Sequence, residues 1–186
     1  MKTFKTILSE PFDLSKFNPI SASEDVTIMK PNGGLWCSDA DEDGRTPWHS
    51  FSGFGLYEYD VDFEDDACVL VIDSKGDYLS ILESYSHVVH SNENDELVSL
   101  LESSGADKSL LSLLGYDKTR LDFVAVVEDF DALYLTLDGL RELGRPSFNS
   151  DDATTNFHGW DVPTLLVFNI EKVSVRPSKR VGTEQH

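Results

Sequence analysis

Three segments of the chain hold residue types whose spacing suits chemistry. The first is Lys30-Pro31-Asn32-Gly33-Gly34-Leu35-Trp36-Cys37-Ser38. Asn-Gly-Gly after proline makes a tight turn that lets backbone approach a neighbour closely. Trp36 supplies a flat apolar face, with Lys30 and Ser38 as polar groups beside it. A second aromatic cluster follows at Trp48, His49 and Phe51. Together these residues read either as a pocket wall or as a hairpin with a core tryptophan. The second segment is Phe157-His158-Gly159-Trp160-Asp161-Val162-Pro163-Thr164. Here Asp161 stands between two apolar residues, just before an apolar run. A carboxylate desolvated by such neighbours has a raised pKa, and it suits proton transfer or the holding of a developing cation. The plainer reading is a carboxylate capping the turn that Pro163 enforces. The third segment, Asp39-Ala40-Asp41-Glu42-Asp43-Gly44, opens like a calcium loop. Its ninth position is Pro47 and its twelfth is Ser50, where a bidentate Glu belongs, so an acidic solvated loop is expected and no metal site is assigned. No nucleophile elbow, phosphate-binding loop or HExxH occurs.

Tyr57-Glu58-Tyr59-Asp60-Val61-Asp62-Phe63-Glu64 alternates strictly between apolar and acidic. That period of two predicts a strand with Tyr57, Tyr59, Val61 and Phe63 toward the core. Glu58, Asp60, Asp62 and Glu64 then share the other face, about 6.8 Å apart along the strand. Such a face is either simple solvated surface or a patch for a basic partner.

Further strands are expected at Cys68–Ile72, Leu121–Val127, Ala132–Leu137 and Thr164–Ile170, all rich in β-branched or aromatic residues, with a weaker one at Val26–Met29. Leu79, Leu82, Tyr85 and Val89 follow helical spacing, with Asp77 as the cap. Glu96–Glu102, Asp107–Leu114 and Asp138–Leu143 read as further short helices. Strands grouped on either side of a helical block at about 74–115 define an α+β class rather than a regular βαβ alternation.

The 186 residues suit one domain, taken as 1–175 with a polar tail at 176–186. The formal net charge is −19. Residues 172–186 hold Lys172, Arg176, Lys179 and Arg180 against Glu184, a net of +3, which leaves −22 on the remainder. Such a chain lacks the basic stripes that neutralise nucleic-acid phosphates or anionic lipid. Hydrophobic residues at 40% and aromatics at 11% are too many for a disordered acidic chain. Cys37 and Cys68 show no metal spacing and read as two buried thiols of a reducing compartment, with a single disulfide as the alternative. The N-terminus lacks a long apolar run, and no segment approaches the roughly 20 apolar residues of a membrane span. A cytoplasmic location without membrane contact is expected.

The segments KPNGGLWCS and, much later, FDALYLT and GWDVPTLLVFN resemble an ADP-ribosyltransferase-like family of small bacterial and phage proteins. The resemblance covers about a third of the chain. It implies split antiparallel β-sheets with a helical insertion and NAD in the cleft between the sheets. Asp161 is then the late acid before a strand, holding a ribose hydroxyl and stabilising the oxocarbenium-like transition state as nicotinamide leaves. Most of that fold uses Glu at this point. Lys30, Gly34, Trp36 and Ser38 correspond to the early NAD-contacting turn and strand, and Tyr134 and Trp160 to aromatic walls. Two readings follow: an NAD-dependent ADP-ribosyltransferase-like protein, and a non-catalytic acidic module or phosphate mimic that binds a basic partner. The first requires the GGLW turn and Asp161 to lie within about 15 Å of each other, the span of one small-ligand pocket.

Overall fold

Alternating side-chain direction along each strand gives every strand two faces, and the chain uses both. The structure is a computed structural model that describes residues 3–21, 30–50, 57–89, 118–143, 157 and 160–178. Among these residues nine strands form in chain order: β1 (Phe4–Leu8), β2 (Leu35–Asp39), β3 (Tyr57–Phe63), β4 (Val69–Ile72), β5 (Ser86–Val89), β6 (Lys118–Leu121), β7 (Ala132–Leu135), β8 (Thr164–Val167) and β9 (Val173–Pro177). Among the described residues three α-helices join them: α1 (Lys75–Ser84), α2 (Phe123–Asp129) and α3 (Leu137–Leu143). The α+β class is as expected. The two expected antiparallel sheets take the form of one seven-stranded sheet, ordered β4-β7-β8-β2-β1-β3-β9, and a separate ribbon of β5 and β6. Within the large sheet β4 and β7 run parallel, and the other pairs are antiparallel.

One face of the large sheet carries Phe4, Leu35, Cys37, Val61, Ala132, Tyr134, Leu165, Val167 and Val173. The segment after β1 covers it with Phe12 and Phe17, and Phe12 N–H donates to the Tyr59 hydroxyl at 2.9 Å. The opposite face is divided. Across β4, β7 and β8 it is apolar, with Leu70, Ile72, Leu133, Leu135 and Leu166 packed with Tyr78 and Leu82 of α1, Val126 of α2, Leu143 of α3, Phe157 and Trp160. Across β1, β3 and β9 it is polar, with Lys5, Glu58, Asp60, Asp62 and Arg176.

Several elements differ from the sequence reading. Leu121 ends β6, and the rest of the expected strand Leu121–Val127 is helix α2. Asp122 caps that helix by accepting from the N–H groups of Val124 and Ala125. Its inward residues Phe123, Val126, Val127 and Phe130 lie at helical spacing, which outweighs the strand preference of valine. Helix α1 is capped by Ser74 rather than Asp77. It buries Tyr78 and Leu82, leaves Leu79 exposed, and stops before Val89, which belongs to β5. Asp77 assists the cap by accepting from Asp73 N–H and Ser74 Oγ. Cys37 is buried but Cys68 is exposed, and both thiols are free. Strand β9 continues to Pro177, and Ser178 N–H still bonds Glu58 O at 2.9 Å. The expected elements at Val26–Met29, Glu96–Glu102 and Asp107–Leu114 lie outside the described residues, as do Phe51 and His158. No helix among the described residues is long and apolar enough to cross a membrane.

Candidate functional site

The site lies where the divided sheet face changes from apolar to polar. A cavity of about 460 Å³ opens there. Its walls are Ile7 of β1, Trp36 of β2, Trp48, Trp160, Val162 and Thr164, and Lys30 and Asp161 add opposite charges.

Trp36 reaches the cavity because β2 alternates: Leu35 and Cys37 enter the core of the other face. Its indole N–H donates to Gly33 O at 3.1 Å, tying the ring to the turn before the strand. That turn needs its glycines. Gly33 and Gly34 have φ of 93° and 72°, in the left-handed region. A Cβ on Gly33 would lie 2.2 Å from Pro19 O, and one on Gly34 would lie 2.6 Å from Leu166 Cδ1. Gly34 N–H also donates to Asn18 O at 2.8 Å. Gly34 therefore packs the turn onto β8 and does not line the cavity.

Trp160 is 2% exposed. It stands edge to face with Trp36 and Phe157, at 4.9 Å each, and parallel to Phe123 at 6.4 Å. Phe157 in turn meets Tyr78 at 5.4 Å. This aromatic chain roots the pocket in the helical core. Phe123 and Tyr78 were not legible as its members, because their contacts cross elements far apart in sequence.

Asp161 is exposed at the cavity mouth. The expected desolvation is absent for a simple reason. Trp160 and Val162 are buried, and the residue between them faces outward in the segment before β8. Among the described residues no hydrogen bond or ion pair holds its carboxylate, so the capping reading finds no bond either.

Two other candidates are structural. Ser38 is fully buried, and its hydroxyl donates to Pro163 O at 2.8 Å, locking β2 to the entrance of β8. Tyr134 lies on the opposite face of the sheet, stands edge to face with Phe4 at 5.1 Å, and donates its hydroxyl to Asp39. It forms no wall of the cavity.

Trp48 comes from a 3-10 turn, Pro47–Ser50. Its neighbour His49 fastens that turn to the sheet. Nδ1 accepts Thr46 N–H at 2.8 Å, so the neutral ring carries its proton on Nε2, which donates to Glu58 at 2.9 Å. Lys5 bonds the same carboxylate and also lies 3.5 Å from Asp60. Burial alone would raise the Glu58 pKa, but the bonds from Lys5 and His49 together outweigh it and hold the carboxyl below its usual range. Ser178 bonds Asp60, and Arg176 pairs with Asp62. Three of the four carboxylates of this face are thus half-buried and paired with polar or cationic groups, and Glu64, just past the end of β3, is exposed. In the calcium-like loop, Asp41 turns its carboxylate onto Asp43 and Arg45 N–H at 3.0 and 2.8 Å. No three His, Cys, Asp or Glu side chains converge as a metal site among the described residues.

The fold and site thus define an α+β protein with a tryptophan-walled pocket at the seam of its sheet. Compared with known proteins, the chain matches no family model, no curated protein and no solved structure.

Proposed function

We propose that the chain binds a small molecule with a flat ring in the tryptophan pocket. The specific form we propose is NAD, acted on by an ADP-ribosyltransferase-like protein. One observation carries the reading: Lys30 and Trp36, which flank the Gly33-Gly34 turn, and Asp161, remote in sequence, border a single cavity of about 460 Å³. That size falls in the roughly 300–1,000 Å³ range of small-ligand sites.

The lining suits such a substrate. Trp36 and Trp48 offer apolar ring surface for nicotinamide, backed by the buried Trp160. Lys30 offers a positive charge toward a diphosphate. The Asp161 carboxylate would stabilise positive charge on the ribose as its bond to nicotinamide breaks and the electron pair leaves with nicotinamide. An acceptor nucleophile would then bond to that carbon and release its proton.

The test is release of nicotinamide from NAD, followed by chromatography. Release by the native protein is expected to fall about 10²-fold or more in Asp161→Asn, the scale seen when one preorganised electrostatic group is lost. Equal release by both proteins, or none by either, would overturn the assignment.

The reading as an acidic surface for a basic partner draws support from the net charge of −19. Lys5 and Arg176 pair with carboxylates of the strand face that suggested it, and His49 bonds Glu58, so the pocket is the better-supported site.

A further inference from the structure

A positive charge already sits on the pocket's aromatic wall. Lys30 Nζ lies 5.7 Å from the centre of the Trp36 ring, within the reach of cation–π attraction, for which tryptophan is the best partner. Lys30 is exposed, so burial does not force it there. Asp161 borders the same cavity, and no ion pair joins the two among the described residues. The pocket therefore combines an aromatic wall that attracts a cation, a carboxylate without a partner among the described residues, and a tethered ammonium resting on the wall.

We propose that the ligand carries a weakly hydrated organic cation of the quaternary-ammonium type, and that Lys30 is its tethered competitor. A lysine ammonium is compact and strongly hydrated, which limits what it gains on a ring. A quaternary cation sheds water at less cost and meets aromatic surface together with the Asp161 charge. The chain's net charge of −19 concentrates cations near the mouth. The inference rests on the pocket being the ligand site, but not on NAD or on group transfer.

The chain has three tryptophans, and all three line this cavity. Its tryptophan fluorescence, excited at the red edge where the six tyrosines do not absorb, therefore reports on the pocket. The experiment titrates choline chloride at constant ionic strength, and in parallel its neutral isostere 3,3-dimethyl-1-butanol. It uses the native protein, Lys30→Gln and Asp161→Asn, both changes at exposed positions. A saturable response to choline and none to the isostere is expected. Lys30→Gln should tighten choline binding about two- to fivefold, the scale of one exposed cation–π contact. Asp161→Asn should weaken it severalfold. No saturable response to choline, an equal response to the isostere, or weaker binding by Lys30→Gln would overturn the proposal. NAD titrated alongside keeps the two ideas apart. A response to NAD with none to choline retains the NAD reading and removes this one, and the reverse pattern does the opposite.

Discussion

At the scale of single residues, the pocket depends on side chains held in place by backbone direction. Gly34 illustrates the constraint. An alanine there must adopt φ near 72° and would press its Cβ to within 2.9 Å of Val167 O. Gly34→Ala is expected to cost about 1–3 kcal/mol, the range for a non-glycine residue in the left-handed region, as measured by urea denaturation. The cysteines give a second check. Burial pushes the Cys37 thiol far above its usual range, while Cys68 is exposed. Iodoacetamide should label Cys68 in the native protein and spare Cys37 until the chain unfolds, which peptide mass analysis would show. Labelling of both at equal rates would contradict the burial of β2. The same alternation decided which site residues were legible. Lys30 with Trp36, and Trp160 with Asp161, could each be singled out from their types and short-range spacing, but only the fold brings the two pairs together. Tyr134 could not be excluded that way, because the face it takes depends on its register through β8 to β2.

At the scale of elements, caps and ion pairs decide what propensity leaves open. Asp122 takes two N–H groups at the start of α2. Asp122→Ala should destabilise the protein by about 1 kcal/mol, read as a fall in the urea midpoint. The segment after it reads as a strand in sequence because its valines favour strands when counted one by one. The stripe of Phe123, Val126, Val127 and Phe130, with Asp122 at the cap position, was the overlooked signal. Strand β3 was readable from its alternation, although Tyr57 at its start is exposed rather than in the core, but the pairing of its acidic face was not, since Lys5, His49 and Arg176 come from other elements. That pairing gives a pH dependence of known sign. The Glu58 pKa is lower folded than unfolded. Its contribution is complete above the ordinary glutamate value of 4.5 and is lost as pH falls through the lower folded value. Stability measured between pH 6 and about pH 3 should therefore fall less steeply in Glu58→Gln than in the native protein. An identical slope would mean that the Lys5 and His49 contacts do not favour the ionised form.

At the scale of the whole molecule, one sheet face is built for two environments. Helices and aromatic rings cover its β4-β7-β8 part, and charge pairs occupy its β1-β3-β9 part. The cavity sits at the join, where Trp36 and Ile7 are the last apolar side chains before Lys5 and Glu58. A seam of this kind was not visible in the sequence, because it is set by strand order rather than by any one strand's pattern. The net charge of −19 acts over the same molecule. Self-repulsion should be relieved by salt, so the melting temperature is expected to rise by a few degrees between low salt and about 0.5 M NaCl. The most direct test of the pocket as a ligand site is a thermal-shift titration with NAD, comparing the native protein with Trp36→Ala. Binding to the folded state alone adds about 2.7 kcal/mol at a ligand concentration 100 times Kd. A dose-dependent rise in Tm that Trp36→Ala reduces or abolishes is the expected result, whereas no rise, or an equal rise in both proteins, would contradict NAD binding in the tryptophan pocket.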